Sequence, residues 1–476
     1  MPFRDAFQPD PQFVRLGNEF GREVAPATFP AHILRWRDPE AAQSIGLDTL
    51  TDTEWTNHFG RFAPLPDICQ KPFAMAYHGH QFRTYNPDLG DGRGFLLGQV
   101  RDQTGRLLDL GTKGSGQTPW SRRGDGRLTL KGGVREILAA RMLDALGVNT
   151  SHALSLIETG EALVRGDEPS PTRAAVLVRL QHSHVRFGTF QRHAFFEAKD
   201  NLAALVDHCV THYYPHLNDL AGEAKVAAFV GEVARATAYM VAGWMGAGFV
   251  HGVLNTDNMN VTGQSFDYGP WRFLPFADAN FTAAYFDQTG LYAFGRQAEA
   301  GLWNLRQLAS ALQPLCSDKA LDEAVRTYPR AFADAQINAF CARLGVAAAG
   351  DNAGERAALI AMLDNMFAFL TRTGVPWDGF FHDWYGGRLS HARAMTGPRA
   401  SFYQGSAFDA WRTALDPLTP TRPQALSHPH FQRDNSVSLL IEDVETLWTP
   451  IAEADDWTLF GEKIADIAGM RAALVG

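Results

Sequence analysis

The sequence predicts an α+β fold in two parts: strands with one helix first, then a mostly helical remainder. Three observations predict it. Apolar runs bounded by turn residues, at Phe95–Val100, Leu107–Lys113 and Ala174–Leu180, read as strands. One good helix, Val134–Leu146 with Gly147 as its stop, lies among them. Beyond about residue 190 the apolar spacing becomes helical, most clearly in Val226–Gly246, where Phe229, Val233, Ala236, Met240 and Trp244 fall on one face.

Taken in order, residues 1 to about 70 carry several prolines and read as irregular. The first two strands flank the turn Asp102–Gly105, so they form a hairpin. A loop rich in Gly, Ser and Arg follows, through Arg127. His251–Asn258 reads as loop. Met259–Val261 and Ser265–Asp267 read as two short strands around Thr262–Gln264. Helical stretches are predicted near 302–314, 319–345 and 354–373, and stretches rich in Gly, Pro and Trp at 375–400 and 415–430 read as loops. The division expected is a first lobe over 1–190 and a helical second lobe over 191–476.

With 476 residues, 45% hydrophobic, the chain can bury a large core, and two lobes sharing a cleft fit that length. A formal net charge of -9 argues against a general nucleic-acid or membrane-surface binder. The four cysteines are scattered with no C-x-x-C pair, so neither a zinc site nor a disulfide scaffold is indicated. A reduced cytoplasmic setting fits. The start, Met1 to Phe7, carries an early acid and does not read as a signal peptide. No apolar run is long enough to cross a bilayer, and no internal repeat is present.

The chemistry concentrates in a few segments. Leu89-Gly-Asp-Gly-Arg-Gly94 runs into a predicted strand, and glycines there let backbone amides approach a ligand. It is not a Walker motif, because no Gly-Lys-Ser/Thr occurs. Lys113 ends the second strand of the hairpin and Glu136 lies on the next helix. In kinase-like folds such a pair holds an ammonium against phosphate oxygens. The segment 251 to 269 is the most informative. Asp267-Tyr-Gly269 resembles the metal-binding Asp-Phe-Gly of kinases, and Asn258 with Asp267 offers oxygen donors that suit Mg²⁺. A kinase catalytic loop reads His-Arg-Asp, four residues, then Asn. Here the frame is His251-Gly-Val253, four residues, then Asn258, with a valine where the base would stand. Valine cannot accept a proton, and Asp257 is the nearest carboxylate that could. Between Arg83 and Arg141 there are eleven Lys or Arg against six Asp or Glu, inside an acidic chain. Arg93, Arg122, Arg123 and Arg127 flank glycines there, and Arg179 and Arg186 follow later. As a set around a glycine loop they suit phosphate. His78, His80, His182 and His184 read as structural, and Trp244 and Trp303 as core.

These motifs resemble the selenoprotein O family. The resemblance rests on Lys71-Pro-Phe-Ala-Met-Ala-Tyr-His-Gly-His-Gln81, Leu89-Gly-Asp-Gly-Arg93, Lys113-Gly-Ser-Gly-Gln-Thr-Pro119 and Gly124-Asp-Gly-Arg127. It also rests on Ser183-His-Val-Arg-Phe-Gly-Thr-Phe190, Gly248-Phe-Val-His-Gly-Val-Leu-Asn-Thr-Asp-Asn-Met259 and Asp267-Tyr-Gly-Pro270. It is dense from about 71 to 305 and looser at both ends. It implies a protein-kinase-like two-lobed fold with an elaborated helical C-terminal part, working as a protein adenylyltransferase. ATP would sit flipped, with its α-phosphate facing the acceptor. AMP would pass to Ser, Thr or Tyr hydroxyls of protein substrates and pyrophosphate would leave. By the same resemblance Gly90, Gly92, Arg93, Lys113, Asp125, Gly126, Arg179 and Arg186 would touch the nucleotide, with Asp267 among them. Glu136 would support the lysine, Asn258 and Asp267 would hold Mg²⁺ or Mn²⁺, and Asp257 would be the proton acceptor. UMP transfer from UTP with Mn²⁺ is a variant within the family. The sequence departs from the family at Arg83-Thr-Tyr85, at Trp120 where tyrosine is usual, and in having no cysteine after Cys341, which puts redox control in doubt. A γ-phosphate-transferring kinase and a non-catalytic nucleotide-binding scaffold remain open as other classes.

Overall fold

The computed structural model describes residues 6–69, 71–166, 168–348 and 353–475. Most of the segment Met1–Phe7 read for targeting therefore lies outside the described residues. The main sheet is antiparallel throughout, with nine strands among the described residues. Its central run, in spatial order, is Gly21–Glu23, Phe73–Met75, Leu96–Arg101, Leu107–Lys113, Thr172–Gln181, His152–Leu163 and Ile33–Arg37. The hairpin expected at 95–113 is present, with Leu107–Lys113 bounded as predicted. The helix spans Leu130–Ala145, four residues earlier than its apolar pattern begins. Thr129 caps it by accepting the Gly132 N–H at 3.1 Å, and Gly147 follows at φ +79°. It lies close on the sheet: a Cβ on Gly133 would come within 2.3 Å of Leu156.

Four expectations need correction. The first 70 residues are not merely irregular: they supply three strands of the main sheet and the helices Pro39–Ser44 and Asp52–Phe59. Strand His152–Leu163, which the sequence analysis left unassigned, is the longest in the sheet. Met259–Val261 and Ser265–Asp267 do not form a hairpin. Asn260 bridges to Arg186 and Ser265 to Thr150, so both segments pair with the sheet side of the molecule instead. The stretch 375–400 is largely helical, through Trp377–Trp384 and His391–Thr396. Trp377, Phe380, Phe381 and Trp384 recur at i, i+3, i+4 and i+7 and are all buried, a helical period that neighbouring Gly and Pro obscured.

After residue 186 helices dominate. Gly222–Ala247 runs 26 residues, buries Phe229, Val233, Met240 and Trp244 in the core shared with the sheet, and ends at Gly248, φ +69°. Ala236 is only half-buried. Trp303 also departs from its core reading: it is half-buried, with the Arg83 guanidinium 5.5 Å from its ring centre. No described helix is long and apolar enough to cross a membrane. The four cysteines are free thiols, three of them buried.

Candidate functional site

Sheet register sets the first pair of cations. Lys113 lies opposite Leu177, and Gly111 opposite Arg179. Residues two apart share a face, so Lys113 and Arg179 project from the same side of the sheet. The helix crossing that face brings Glu136 under Lys113, and the two form a buried ion pair. Arg186 arrives from the N-cap of helix Phe187–Phe195.

The second wall is the loop 251–271, hung from the short antiparallel ladder of Phe249–Val250 with Arg272–Phe273. Helix Gln297–Ala311 holds it from behind. Gln297 donates to Phe249 O at 2.9 Å and accepts the His251 N–H at 3.2 Å, while Asn304 donates to Leu254 O at 2.8 Å. The buried His251 ring donates through Nε2 to Phe266 O at 3.0 Å, which fixes the approach to Asp267. Asp267 itself sits at φ +58°, a left-handed conformation that is strained for a residue with a Cβ. Neighbouring contacts sustain that conformation. Arg179 donates to its Oδ1 at 2.5 Å, Arg186 to its Oδ2 at 2.8 Å, and Lys113 lies 3.4 Å from Oδ1. Burial opposes ionisation of this carboxyl, but Arg179, Lys113 and Arg186 outweigh it and hold it well below the usual carboxylate range.

Between the walls opens a cavity of about 720 Å³. Gly90, Gly92, Arg93, Lys113, Asp125, Gly126, Arg179, Arg186, Val253, Asp257, Asn258 and Asp267 all line it. Glu136 alone of the residues singled out does not, standing behind Lys113. Two glycines are required by close approach. A Cβ on Gly90 would meet the Trp120 ring at 2.3 Å. Gly126, at φ +71°, would place one 2.3 Å from the Gly116 backbone. The Gly124–Arg127 loop is pinned from the far hairpin: Arg165 grips Asp125 through two bonds of 2.9 and 3.1 Å, and Arg127 binds Glu161 at 2.9 Å. The Asp125 carboxylate is thus committed to an arginine, although its residue forms part of the cavity wall.

Asp257 differs from every other carboxylate in the cleft. Its Oδ1 is buried with no hydrogen-bond partner. Burial pushes the group up to about 6, against the pull of Arg186. Asn258 donates its Nδ2 to Val253 O at 2.9 Å, which leaves its Oδ1 for another partner. The Asn258 amide oxygen and the Asp267 carboxylate are hard donors of the kind that suit Mg²⁺ or Mn²⁺, although Asp267 already accepts from Arg179, Lys113 and Arg186. No group of three or more His, Cys, Asp or Glu among the described residues could hold a metal unaided. A cation here would therefore draw further ligands from phosphate.

Several lining residues escaped the sequence analysis. Asp91 is the chief one: it accepts the Met75 N–H at 3.0 Å and lies 3.8 Å from Arg186. Read in sequence it is a turn acid between two glycines, and only the long-range approach of Arg186 reveals it. Tyr77, with the Arg186 guanidinium 4.7 Å from its ring centre, and Arg165 were missed for the same reason. The histidines set aside are structural. His78 Nδ1 pairs with the Tyr85 hydroxyl at 2.8 Å, His80 Nδ1 with Gln191 at 2.7 Å, and His184 Nδ1 with Asp109 at 3.0 Å.

Comparison with known proteins gives the family. A family model described as "Protein adenylyltransferase SelO" matches residues 5–468. A protein nucleotidyltransferase YdiU of Synechocystis sp. is 42% identical, over 96% of this chain and 96% of its own. Its namesake in Gloeobacter violaceus is 42% identical over 96% and 94%, and that of Pseudomonas fluorescens 34% over 94% and 90%. The likeness extends well past the motif-dense stretch, into both ends. The chain belongs to the SelO family of protein adenylyltransferases.

Proposed function

We propose that the cleft binds ATP and passes its AMP moiety to a Ser, Thr or Tyr hydroxyl of a protein acceptor, with pyrophosphate leaving. Family membership supports the reaction class, an adenylyltransferase or nucleotidyltransferase acting on protein. The observation that carries the chemistry is the pairing of a cationic wall gathered on Asp267 with Asp257, whose Oδ1 has no hydrogen-bond partner, in the same cavity. Lys113, Arg179 and Arg186 bind and orient the triphosphate, and Arg93, Arg122 and Arg123 add forked donors around it. Gly90, Gly92 and Gly126 let the cavity wall pack closely on Trp120 and Gly116. The acceptor oxygen forms a bond to the α-phosphorus as the bond to the bridging oxygen breaks. Its proton goes to Asp257, and the pyrophosphate carries away the negative charge. Val253, at the position of a kinase base, takes no part. Mg²⁺ or Mn²⁺ held by Asn258 and Asp267 supplies charge neutralisation on the phosphates when bound.

The strand lysine, the helix glutamate and the Asn258–Asp267 loop support reading the fold as kinase-like, with lobes over 1–190 and 191–476. The four free thiols suit a reduced cytoplasmic setting, and neither nucleic acid nor membrane is part of the proposal. The test is incubation of the protein with metal, a cell extract and ATP labelled on either the α- or the γ-phosphate, with UTP in parallel, followed by mass spectrometry. Label from the α-phosphate with an AMP-sized mass increase is the expected result. Label from the γ-phosphate alone would make the protein a kinase. Bound ATP with neither label would make it a scaffold.

A further inference from the structure

The segment that follows Asp267 returns to the cleft mouth carrying exposed aromatic side chains. Tyr285 is 85% exposed and Phe286 47%, and their rings stack edge to face at 5.1 Å. Two large aromatic side chains packed together and left open beside a cavity offer a contact surface. Two independent contacts tie them to the site. On one side, Gly252 packs on Ala283 and on Pro270: a Cβ there would lie 2.9 Å and 3.1 Å from them. Pro270 and Val253, next to Gly252, both line the cavity. On the other side, Phe286 meets the Phe82 ring at 5.8 Å, and Phe82 adjoins Gln81, another lining residue.

The ledge is also bonded to the loop that carries Asp257. Asn255 Oδ1 accepts from the Phe82 N–H at 3.0 Å and from the Tyr292 hydroxyl at 2.9 Å, and Phe82 packs on Tyr292 at 4.9 Å. Asn255 is the N-cap of the short turn Thr256–Asn258 that carries Asp257. The segment carrying Tyr285 and Phe286 therefore borders the loop that holds Asp257.

We propose that Tyr285 and Phe286 form the acceptor-docking ledge, taking an apolar side chain of the acceptor polypeptide close in sequence to the modified hydroxyl. The proposal rests on the adenylyltransferase reading above. It makes the two residues specificity determinants that touch the acceptor and not the nucleotide, since neither lines the cavity.

The experiment presents an array of short peptides, each with one central Ser, Thr or Tyr and varied flanks, to the full-length wild type and to the Tyr285→Ala/Phe286→Ala variant with α-labelled ATP. The wild type is expected to favour aromatic or aliphatic residues near the hydroxyl. The variant should lose that preference, with the KM for the best peptide raised roughly tenfold, the loss of about one buried apolar anchor. Its KM for ATP and its kcat at saturating peptide should stay those of the wild type. A wild type that labels peptides with no apolar preference, or a variant that keeps the preference, overturns the ledge while leaving the reaction intact. A wild type that transfers no α-label to any peptide or protein overturns the reaction and the ledge together. Label found on Tyr285 itself, or a wild-type dimer that the variant dissolves, with peptide preference unchanged, would reassign the surface and overturn the proposal.

Discussion

The cleft and the C-terminal helical part both bury ion pairs, and they do so differently. In the C-terminal part charges come one to one. Arg343 binds Asp378 at 2.9 Å, and Arg399 binds Asp383 at 2.6 Å with the Tyr403 hydroxyl as a further donor. Aromatic rings close around them, with Arg343 4.8 Å from the Phe381 ring centre. In the cleft one carboxylate, Asp267, serves three cations, and among the described residues eight Lys or Arg line the cavity against four Asp. The carboxyl groups respond accordingly. Burial pushes Asp378 up to about 6 even beside Arg343, and Asp257 in the cleft as far, whereas three cations hold Asp267 well below its ordinary value. A buried ion pair is therefore no sign of function in itself. An unbalanced cationic cluster beside a large cavity, in a chain of net charge -9, is what marks the candidate site.

The largest expected effect breaks the cluster at its centre. Asp267→Ala should reduce AMP transfer by on the order of 10³-fold, as loss of a principal electrostatic group does. Transfer retained in that variant, measured by α-label incorporation, would remove Asp267 from the site. On the other side of the comparison, Arg399→Met leaves Asp383 buried without its cation and should destabilise the fold by about 3–5 kcal/mol. Denaturant unfolding checks this. Gly90→Ala sharpens the view of the glycine loop: the added methyl strikes Trp120, and overpacking of about 1–3 kcal/mol should raise the KM for ATP roughly tenfold. Trp120→Leu in the same chain should restore most of it.

Acid should weaken the fold outside the cleft. Burial holds His182, His193 and His208 down at about 4 and His430 at about 3, from 6.5. Between those values and 6.5 the unfolded chain binds more protons than the folded one. Stability therefore falls as pH is lowered through that window, and a thermal midpoint flat from pH 6.5 to 4 would contradict the burial of these rings. The smallest effect is Val253→Ala, which should leave transfer within about threefold, because no proton chemistry runs through an aliphatic group.

Much of the site could be read before the fold was known, because its signals are local. Lys113 ends a strand read from an apolar run after a turn, Asn258 kept a recognisable spacing from His251, and Asp267 was marked by the Tyr-Gly that follows it. What could not be read depends on contacts distant in sequence. Asp91 becomes part of the cluster only because Arg186 folds over it, and Arg165 matters only because one hairpin tip reaches Asp125. Strand His152–Leu163 hid because Gly160 and the acids Glu158 and Glu161 interrupt its apolar run, yet Arg35 and Arg173 bind Glu158 at 2.6 Å and make that acid tolerable within the sheet. Register errors followed the same rule: the segments around Thr262–Gln264 look like a hairpin, but their partners, Arg186 and Thr150, lie far upstream.

The most direct test of the contrast is a titration of ATP into Arg186→Met and Arg399→Met, each beside the wild type. If the cleft's surplus charge exists to bind triphosphate, Arg186→Met should lose ATP affinity by roughly 30-fold, the value of about 2 kcal/mol for a charge-assisted bond. Arg399→Met should bind ATP as the wild type does. Wild-type affinity in Arg186→Met, or an equal loss in both variants, would contradict the account.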